Sequence, residues 1–487
     1  MRNADYLKKA EELRPALIEK KIRIDGRDEI LSNGDEVIYD LKDHYVGYLS
    51  VSFSSVGRHY DAPLYFQIQF AEIKEEFDQD IENYHGWISR SWIQEERVHI
   101  DVLPCTYEFK RRYAFRYLKI KVLSVSENYS VKIDSIDLRA VSSADETKLT
   151  HPSFSKEDER LDQVSLRTLH NCMQEVFEDG PKRDRRLWLG DLRLQALANY
   201  ETYRNNDLVK RCLYLFAGTA LEEGKLASNV FIEPEVECDY QSMFDYALFF
   251  IDVLWNYYEN TGDLETIKDL EPVCIRQYEI LQKCFDENDV IDLDKCDRVF
   301  IDWNFDLDKA APGQAVYLYA LKDLVKIEKT LGKDTKTIEE EIEKKTAAAK
   351  KMFDEKEGLF VSGKDDQISY ASQVWMILAG VLNKEEAGLV LDRLEKRIDA
   401  IKLCSPYAYH HYIQALIDAG ETDKAYEKMH GYWGGMIEKG CNTFWEIFDP
   451  KDPTASPYGG LAVHSFCHAW SCTPTYFLRK YFVKKQS

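Results

Sequence analysis

The stretch Leu118-Lys-Ile-Lys-Val122 alternates apolar and charged side chains, and the same period of two occurs at residues 66–70, 98–102 and 131–134. This alternation is typical of strands that bury one face. After Ser142 the apolar residues fall instead on one face of a helix, as in Leu161, Val164, Leu169, Cys172, Met173 and Val176. The period changes only once, which predicts an antiparallel β-sandwich over residues 1–147 and a helical domain over residues 148–487.

Paired helices are indicated by three recurring turn signals, at residues 260–263, 331–334 and 419–422. In each, a glycine that ends one helix is followed closely by a polar residue that begins the next. At about 28 residues for a helix and its loop, residues 148–487 provide around a dozen helices. An (α/α)6 toroid requires that number. A superhelical repeat array is the alternative, but no fixed-period repeat is found in the sequence.

The charge balance excludes several classes of partner. Lys and Arg total 64 against 86 for Asp and Glu, so the formal net charge of the 487 residues is −22. Nucleic acid and anionic membranes would be repelled and are not expected as partners. The sequence has no run of 18 apolar residues, its first residues lack an apolar signal segment, and its eleven cysteines include no CxxC pair. A cytoplasmic protein with reduced thiols is therefore predicted.

Three metal or phosphate patterns fail at required positions. Residues 358–365 imitate a phosphate-binding loop, but Asp365 stands where Ser or Thr should hold magnesium. Residues 302–313 begin like a calcium loop, yet Leu307 replaces the glycine that must turn the chain. The His and Cys residues of segment 464–472 match no closed zinc spacing. We therefore expect neither a metal nor a cofactor.

Charged residues are concentrated around one tryptophan in the segment Asp179-Gly-Pro-Lys-Arg-Asp-Arg-Arg-Leu-Trp-Leu-Gly-Asp-Leu-Arg193. A run of charges is usually a solvated helix face. Here Gly180-Pro181 makes a bend, and the Trp188 and Gly190 pair indicates a structured loop. This segment is the first candidate for a functional site.

A second segment, Cys441-Asn-Thr-Phe-Trp-Glu-Ile-Phe-Asp-Pro450, places the Glu446 carboxylate among aromatic side chains. Burial beside Phe444 and Trp445 is expected to raise the pKa of Glu446 toward the neutral range that a general acid or base needs. The alternative is a core glutamate paired with an arginine.

Together the two segments resemble the catalytic domain of glycoside hydrolase family 78, the bacterial α-L-rhamnosidases. The family loop runs Asp, small residue, Pro, any residue, Arg, acid, later Trp and then Gly-Asp. This chain matches it with Asp179, Pro181, Arg183, Asp184, Trp188 and Gly190-Asp191. Further family-like segments are Asp245 before Tyr257-Tyr258, Asp302-Trp303, Trp445-Glu446 and Phe466-Cys-His468-Ala-Trp470. The resemblance covers residues 150–480, and the preceding sandwich is similar to a module that often precedes this barrel.

The resemblance implies an inverting hydrolase that cleaves terminal α-L-rhamnosyl residues from oligosaccharides or glycosides. Asp184 is then the general acid and Glu446 the general base. The substrate-binding residues that the resemblance implies are Asp179, Arg183, Trp188, Asp191, Asp245, Asp302, Trp303, Trp445 and His468. The sandwich is expected mainly to shield the barrel. Rhamnose-containing glycosides are the expected partners, and a homo-oligomer is possible.

Three features depart from the family pattern. Asp184 replaces the usual Glu, Tyr246 stands where relatives often carry Trp, and the barrel is expected to end near Lys485 without the C-terminal sandwich of many relatives. Two alternatives therefore stay open. One is an (α/α)6 enzyme that acts on another deoxy or uronic sugar, and the other is a catalytically weak sugar-binding protein.

Overall fold

An eight-stranded sheet forms the N-terminal domain of the computed structural model, which describes residues 3–483. Its strands are β1 (Ile18–Asp25), β2 (Ile30–Leu31), β3 (Glu36–Gly57), β4 (Leu64–Ala71), β5 (Glu95–Ile100), β6 (Cys105–Glu108), β7 (Tyr113–Ser124) and β8 (Tyr129–Ser142). The order is β1-β8-β3-β7-β4-β5, with β2 added to β8 and β6 to β3. The pairings are antiparallel, as the alternating pattern predicts.

The long strand β3 belongs to both halves of this sheet. Its first part, up to Gly47, pairs with β7, and its second part, from Gly47 onward, pairs with β8. The two halves face each other, since Phe53 of β3 contacts Phe66 of β4 with ring centroids 4.9 Å apart. One apolar core therefore fills the space between them.

The helical domain is built from α2 onward, after a short N-terminal helix α1 (Ala4–Glu12). Within residues 3–483 its twelve helices are α2 (Lys156–Cys172), α3 (Leu189–Glu201), α4 (Asn206–Gly218), α5 (Phe244–Thr261), α6 (Leu264–Leu281), α7 (Ala310–Thr330), α8 (Lys336–Lys350), α9 (Tyr370–Leu378), α10 (Lys384–Lys396), α11 (Pro406–Asp418), α12 (Thr422–Glu438) and α13 (Pro474–Phe477). Short antiparallel strands lie in the connections: β9 (Leu187–Trp188), β10 (Asn229–Phe231), β11 (Glu237–Cys238), β12 (Phe353–Asp354) and β13 (Leu359–Phe360).

These helices form an inner and an outer ring, which confirms the predicted toroid. Helices α3, α5, α7, α9 and α11 pack side by side, and α13 packs on α3. His410 of α11 contacts Phe477 of α13, which closes the inner ring. The inner helix α5 buries its first eleven residues, whereas the outer helix α8 buries only Ile338, Lys345, Ala348 and Ala349. A helix that is apolar all round must lie inside, and an amphipathic one covers it.

The predicted turn signals are found where two helices of a pair meet. Gly262, Gly332 and Gly420 have φ of 70°, 70° and 84°, in the left-handed region that glycine adopts without strain. Asp263 then begins α6 by accepting a hydrogen bond from the amide of Thr266. One expectation needs correction. Helix α1 falls inside the predicted sandwich boundary, but it packs against α4 and contributes Ala10 to the helical core.

Candidate active site

A cavity of about 430 Å³, called the main cavity below, lies at one end of the helical ring. In the helical domain, the loops that line it are α2–α3, α4–α5, α6–α7 and α12–α13. Each connects an outer helix to the next inner helix, so the four loops meet at the same end of the ring. Eight of the eleven predicted site residues line it: Asp179, Arg183, Asp184, Trp188, Asp191, Trp303, Glu446 and His468. The volume is within the usual range for small-molecule sites.

Glu446 is a buried carboxylate that stays ionised. The guanidinium of Arg183 and the hydroxyl of Tyr458 both donate hydrogen bonds to it, and Nδ1 of His468 lies 3.9 Å from its Oε2. Burial alone would raise the pKa of Glu446, but the charge of Arg183, above all, and the hydrogen bond from Tyr458 lower that pKa to about 2. The expectation that aromatic neighbours raise the pKa of Glu446 is therefore wrong, because the nearby charge of Arg183 opposes the effect of burial.

Arg183 contacts both carboxylates of the predicted acid–base pair. Its Nη1 lies 3.8 Å from Oδ1 of Asp184, while its Nη2 donates to Glu446. Its Nε donates to the carbonyl oxygen of Val463 at 3.0 Å, and its guanidinium stacks 4.1 Å from the ring centroid of Tyr458. One buried cation therefore orients groups from two loops that are far apart in sequence.

Asp184 is the more accessible of the two carboxylates, since its side chain is 19% exposed against 2% for Glu446. The backbone of Asp184 has φ of 66° and that of Arg185 has φ of 53°. Left-handed conformations cost energy for residues with a side chain, and such strain is concentrated at functional sites. The turn is stabilised by Asp179, whose Oδ1 accepts a hydrogen bond from the amide of Arg186 at 3.1 Å.

Two further carboxylates, Asp179 and Asp191, are buried in the same wall. Burial raises the pKa of Asp179, and the charges of Asp184 and Asp191 raise it further. Burial also raises the pKa of Asp191, although His468 opposes the shift, with its Nε2 3.3 Å from Oδ1 of Asp191. Carboxyl oxygens accept hydrogen bonds, which suits both side chains to sugar hydroxyls.

Aromatic rings form the apolar side of the main cavity. Trp188 contacts Tyr246 edge-on, with centroids 6.3 Å apart at 87°, and Trp303 contacts Phe300 in the same way at 5.3 Å. A Cβ atom at Gly190 would come within 2.4 Å of the Tyr246 ring, so this close approach requires glycine. Tyr246 thus supplies an aromatic wall at the position where relatives often carry Trp.

Two predicted substrate-binding aspartates lie behind the wall instead of facing the main cavity. The carboxylate of Asp245 accepts hydrogen bonds from the amides of Phe300 and Ile301, at 3.0 and 2.9 Å. The carboxylate of Asp302 accepts one from the amide of Trp303 at 2.8 Å. The hydrogen bonds of both carboxylates stabilise the loop that carries Phe300 and Trp303. The predicted placement of Asp245 and Asp302 at the sugar is corrected accordingly.

Trp445 is the third predicted residue that the structure does not bring to the main cavity. Its ring packs edge-on against Phe448 at 5.7 Å and against Phe466 at 5.2 Å, inside the helical core. The predicted stacking of Trp445 on the sugar is therefore replaced by a packing role. Its neighbour Glu446 points the other way, into the main cavity.

The sandwich domain contributes a part of the wall that was not predicted from the sequence. Trp87, Ile88, Ser89 and Trp92 line the main cavity from a loop between β4 and β5. Trp87 donates from Nε1 to the carbonyl oxygen of Pro457 at 2.6 Å, next to Tyr458. The sandwich is therefore more than a shield for the barrel. The only sign of this contribution in the sequence is the pair of tryptophans, Trp87 and Trp92, in one loop. Other residues missed in the wall are Arg186, Gln241, Met243, Tyr246, Arg298, Phe300, Tyr458 and Trp470.

A buried ionic network joins the sandwich to the two loops that carry the carboxylates. Nζ of Lys182 lies 2.9 Å from Glu76 and 3.2 Å from Glu72. Glu72 also accepts a hydrogen bond from the amide of Phe466 at 2.7 Å and lies 3.1 Å from Nε2 of His44. Burial raises the pKa of Glu76 to about 7, even though Lys182 opposes the shift. The network therefore fixes loops 179–188 and 441–470 against the sandwich.

No three His, Cys, Asp or Glu side chains among residues 3–483 are arranged to hold a metal ion. In the segment considered for zinc, burial lowers the pKa of His464 to about 4, so its imidazole is neutral. A helix long and apolar enough to cross a membrane is not found in the described part of the chain.

Comparison with known proteins identifies the two domains. Residues 153–482 match the family described as the bacterial alpha-L-rhamnosidase 6 hairpin glycosidase domain. Residues 11–140 match the glycosyl hydrolase family 78 alpha-rhamnosidase N-terminal domain. A comparison with curated protein sequences gave no match.

Solved structures agree with this assignment. A rhamnosidase from Klebsiella oxytoca with rhamnose bound is 39% identical, with a TM-score of 0.94 over 99% of both chains. A family 78 rhamnosidase of Bacillus sp. GL1 is 20% identical, with a TM-score of 0.77 over 91% of this chain and 46% of that one. An α-L-rhamnosidase of Streptomyces avermitilis complexed with L-rhamnose is 17% identical, with a TM-score of 0.68 over 96% and 44%, and so supports the fold. The chain belongs to the bacterial α-L-rhamnosidases of glycoside hydrolase family 78.

Proposed function

We propose that this glycoside hydrolase removes terminal α-L-rhamnosyl residues from oligosaccharides or other glycosides with inversion of configuration. The observation that carries the proposal is that Arg183 contacts both Asp184 and Glu446 at the wall of one cavity. Membership of the family and the 39% identity to a rhamnosidase with rhamnose bound support the choice of sugar.

Inversion requires one carboxylic acid and one carboxylate on opposite sides of the scissile bond. Asp184 gives its proton to the glycosidic oxygen, and the bond from this oxygen to the anomeric carbon breaks. A water molecule attacks the opposite face and loses a proton to Glu446. The products are free rhamnose and the protonated leaving group, and a proton must then return from Glu446 to Asp184 through solvent.

The low pKa of Glu446 determines how it acts. A carboxylate with a pKa of about 2 is a weak base toward bulk water, but it remains charged throughout the physiological pH range. Its negative charge stabilises the positive charge that develops on the sugar ring in the transition state. The attacking water becomes acidic as its bond to carbon forms, so even a weak base accepts the proton at that stage.

The remaining residues of the main cavity bind the sugar in this proposal. Asp179 and Asp191 hydrogen-bond to its hydroxyl groups, and His468 holds Asp191 toward the ring. Trp188 and Trp303 cover its apolar face and 6-methyl group, and this apolar contact favours a deoxy sugar over one with a hydroxymethyl group.

The test is a panel of aryl glycosides that includes the α-L-rhamnoside, followed by proton NMR of the first sugar released. We expect turnover of the α-L-rhamnoside and initial release of the β-anomer. Turnover of another deoxy or uronic glycoside alone would favour the rival enzyme of the same toroid class. Tight binding of rhamnose without turnover would instead indicate a sugar-binding protein.

For location, we propose the cytoplasm, with glycosides imported before cleavage. The support is chemical: eleven cysteines are present and all are free thiols. Fractionation of cells that express the protein tests this, and recovery outside the cytoplasm would refute it.

A further inference from the structure

A second cavity, of about 520 Å³, lies next to the main cavity on the other side of Asp184. The two cavities share three lining residues: Trp92, Asp184 and Arg186. The general acid must contact the glycosidic oxygen, the atom that joins the departing group to the rhamnose. If the rhamnose lies in the main cavity beside Glu446, the second cavity is the space beyond Asp184 into which the departing group would extend.

Two arginines in the wall of the second cavity form no ion pair in the described part of the chain. The structure of residues 3–483 gives the side chains of Arg185 and Arg186 neither an ion pair nor a hydrogen bond, and the Nε atom of each is inaccessible and unsatisfied. The guanidinium of Arg186 lies 4.2 Å from the ring centroid of Phe231, which holds its plane. Burial and the nearby charge of Arg112 lower the pKa of Arg185 to about 10, so it remains charged at neutral pH.

The charge of Glu178 acts on Arg185, but no carboxylate around the second cavity forms an ion pair with Arg185 or Arg186 in the described residues. Glu178 accepts two hydrogen bonds from Arg112, at 2.7 and 2.8 Å, and Glu175 accepts one from Arg14 at 2.8 Å. Glu233 is exposed to solvent at the rim. The second cavity is therefore lined by two guanidinium groups that no carboxylate of the described residues holds in an ion pair.

We propose that the second cavity is a leaving-group subsite that selects a uronic acid linked to the rhamnose. This rests on the proposed function, since it assumes that Asp184 protonates the scissile oxygen. A planar carboxylate matches the fork of a guanidinium, and such charge-assisted pairs are stronger than neutral hydrogen bonds. Asp184 adds no repulsion at the moment of reaction, because it must be protonated to act as the acid. Trp92 provides an aromatic surface for the sugar ring at the junction of the cavities.

The test compares two substrates that differ only in charge, an α-L-rhamnosyl uronate and its methyl ester. The measured quantity is the ratio of kcat/KM for the uronate to that for the ester. We expect a ratio of about 10 or more in the wild type, the effect of one charge-assisted hydrogen bond. The ratio should fall as ionic strength rises, because salt screens a partly exposed ion pair.

Arg185→Gln is the decisive variant, because Arg185 lines only the second cavity whereas Arg186 lines both. It should bring the ratio close to 1, and Arg186→Gln should lower it as well. Arg23→Gln is the matched control, since Arg23 is an exposed arginine of β1 that pairs with Asp137, and its ratio should equal that of the wild type. Equal hydrolysis of uronate and ester by the wild type, or an unchanged ratio in Arg185→Gln, would overturn the proposal.

The aryl α-L-rhamnoside separates this proposal from the proposed function. If the wild type fails to hydrolyse it, the rhamnosidase function is wrong, and titration calorimetry of the uronate and the ester then tests the subsite directly. Tighter binding of the uronate that is lost in Arg185→Gln would support the subsite. Equal binding of both compounds would reject it.

Discussion

Arg183 donates a hydrogen bond to Glu446 across 263 positions of sequence, and this contact keeps the Glu446 carboxylate ionised in a buried site. The neighbour of Arg183 in sequence is Asp184, whose Oδ1 lies 3.8 Å from the same guanidinium. The two carboxylates proposed as acid and base are therefore held by a single cation.

Removal of the proposed acid and base should slow the reaction in different ways. Asp184→Asn and Glu446→Gln should each reduce kcat by ~10²-fold or more with the fold intact. Asp184→Asn should recover part of its rate with an aryl leaving group that departs without a proton, whereas Glu446→Gln should stay slow. Steady-state kinetics with leaving groups of graded pKa check this. Equal insensitivity of both variants to the leaving group would show that the roles are wrongly assigned.

Replacement of Arg183 should move the acid limb of the pH–rate profile. Glu446 must be ionised to act, and its pKa of about 2 places the loss of that form far below neutral pH in the wild type. In Arg183→Gln, the effect of burial is no longer opposed by the largest nearby positive charge, so the pKa of Glu446 should rise. As the pH is lowered, the variant should therefore lose activity at a higher pH than the wild type does. Profiles of kcat/KM for the variant and for Arg23→Gln measure this. If the acid limbs of the two variants coincide, Arg183 is not the group that keeps Glu446 ionised.

The sandwich tryptophan Trp87 should contribute to substrate binding. It lines the main cavity and is tied to the helical domain by its hydrogen bond to the Pro457 carbonyl. Trp87→Ala should raise KM several-fold, since a stacked aromatic surface contributes about 0.5–1.5 kcal/mol beyond its buried area. Ile398→Ala, at a site 93% exposed, is the control. Identical KM values in the two variants would show that Trp87 does not contribute to substrate binding and that the sandwich only shields the barrel.

Lys182 should matter for stability. Its removal in Lys182→Met leaves the buried carboxylates Glu72 and Glu76 without their shared cation, which typically costs about 3–5 kcal/mol. Denaturant unfolding measures the loss. A change below about 1 kcal/mol would mean that the network contributes little to the domain interface.

Glu76 should make stability depend on pH. Burial raises its pKa to about 7 in the folded state, so the folded protein binds this proton more tightly than the unfolded chain does. Its stabilising contribution is complete below the unfolded pKa of about 4.5 and is lost as pH rises through 7. Glu76→Gln should therefore weaken the fall in melting temperature between pH 5 and 8. A parallel fall in wild type and variant would exclude Glu76 as the cause.

The sequence by itself determined the two-domain architecture. A period of two must form strands and a period of 3.6 must form helices if the apolar side chains are to share one core. The glycines at 262, 332 and 420 marked the helix turns because few other residues tolerate a positive φ. The loop from Asp179 to Asp191 was found because its residue types and spacing resemble those of a known family.

Only the tertiary structure decided which side chains face the main cavity. Asp245 and Asp302 turned away because their carboxylates satisfy buried backbone amides, a demand that appears only when the loop is folded. Trp87 entered the wall because the sandwich docks on the loop that follows Glu446. The pKa of Glu446 fell because a charge distant in sequence lies beside it in space. Burial and Coulomb interactions depend on distances between atoms, and the order of residues along the chain does not contain them.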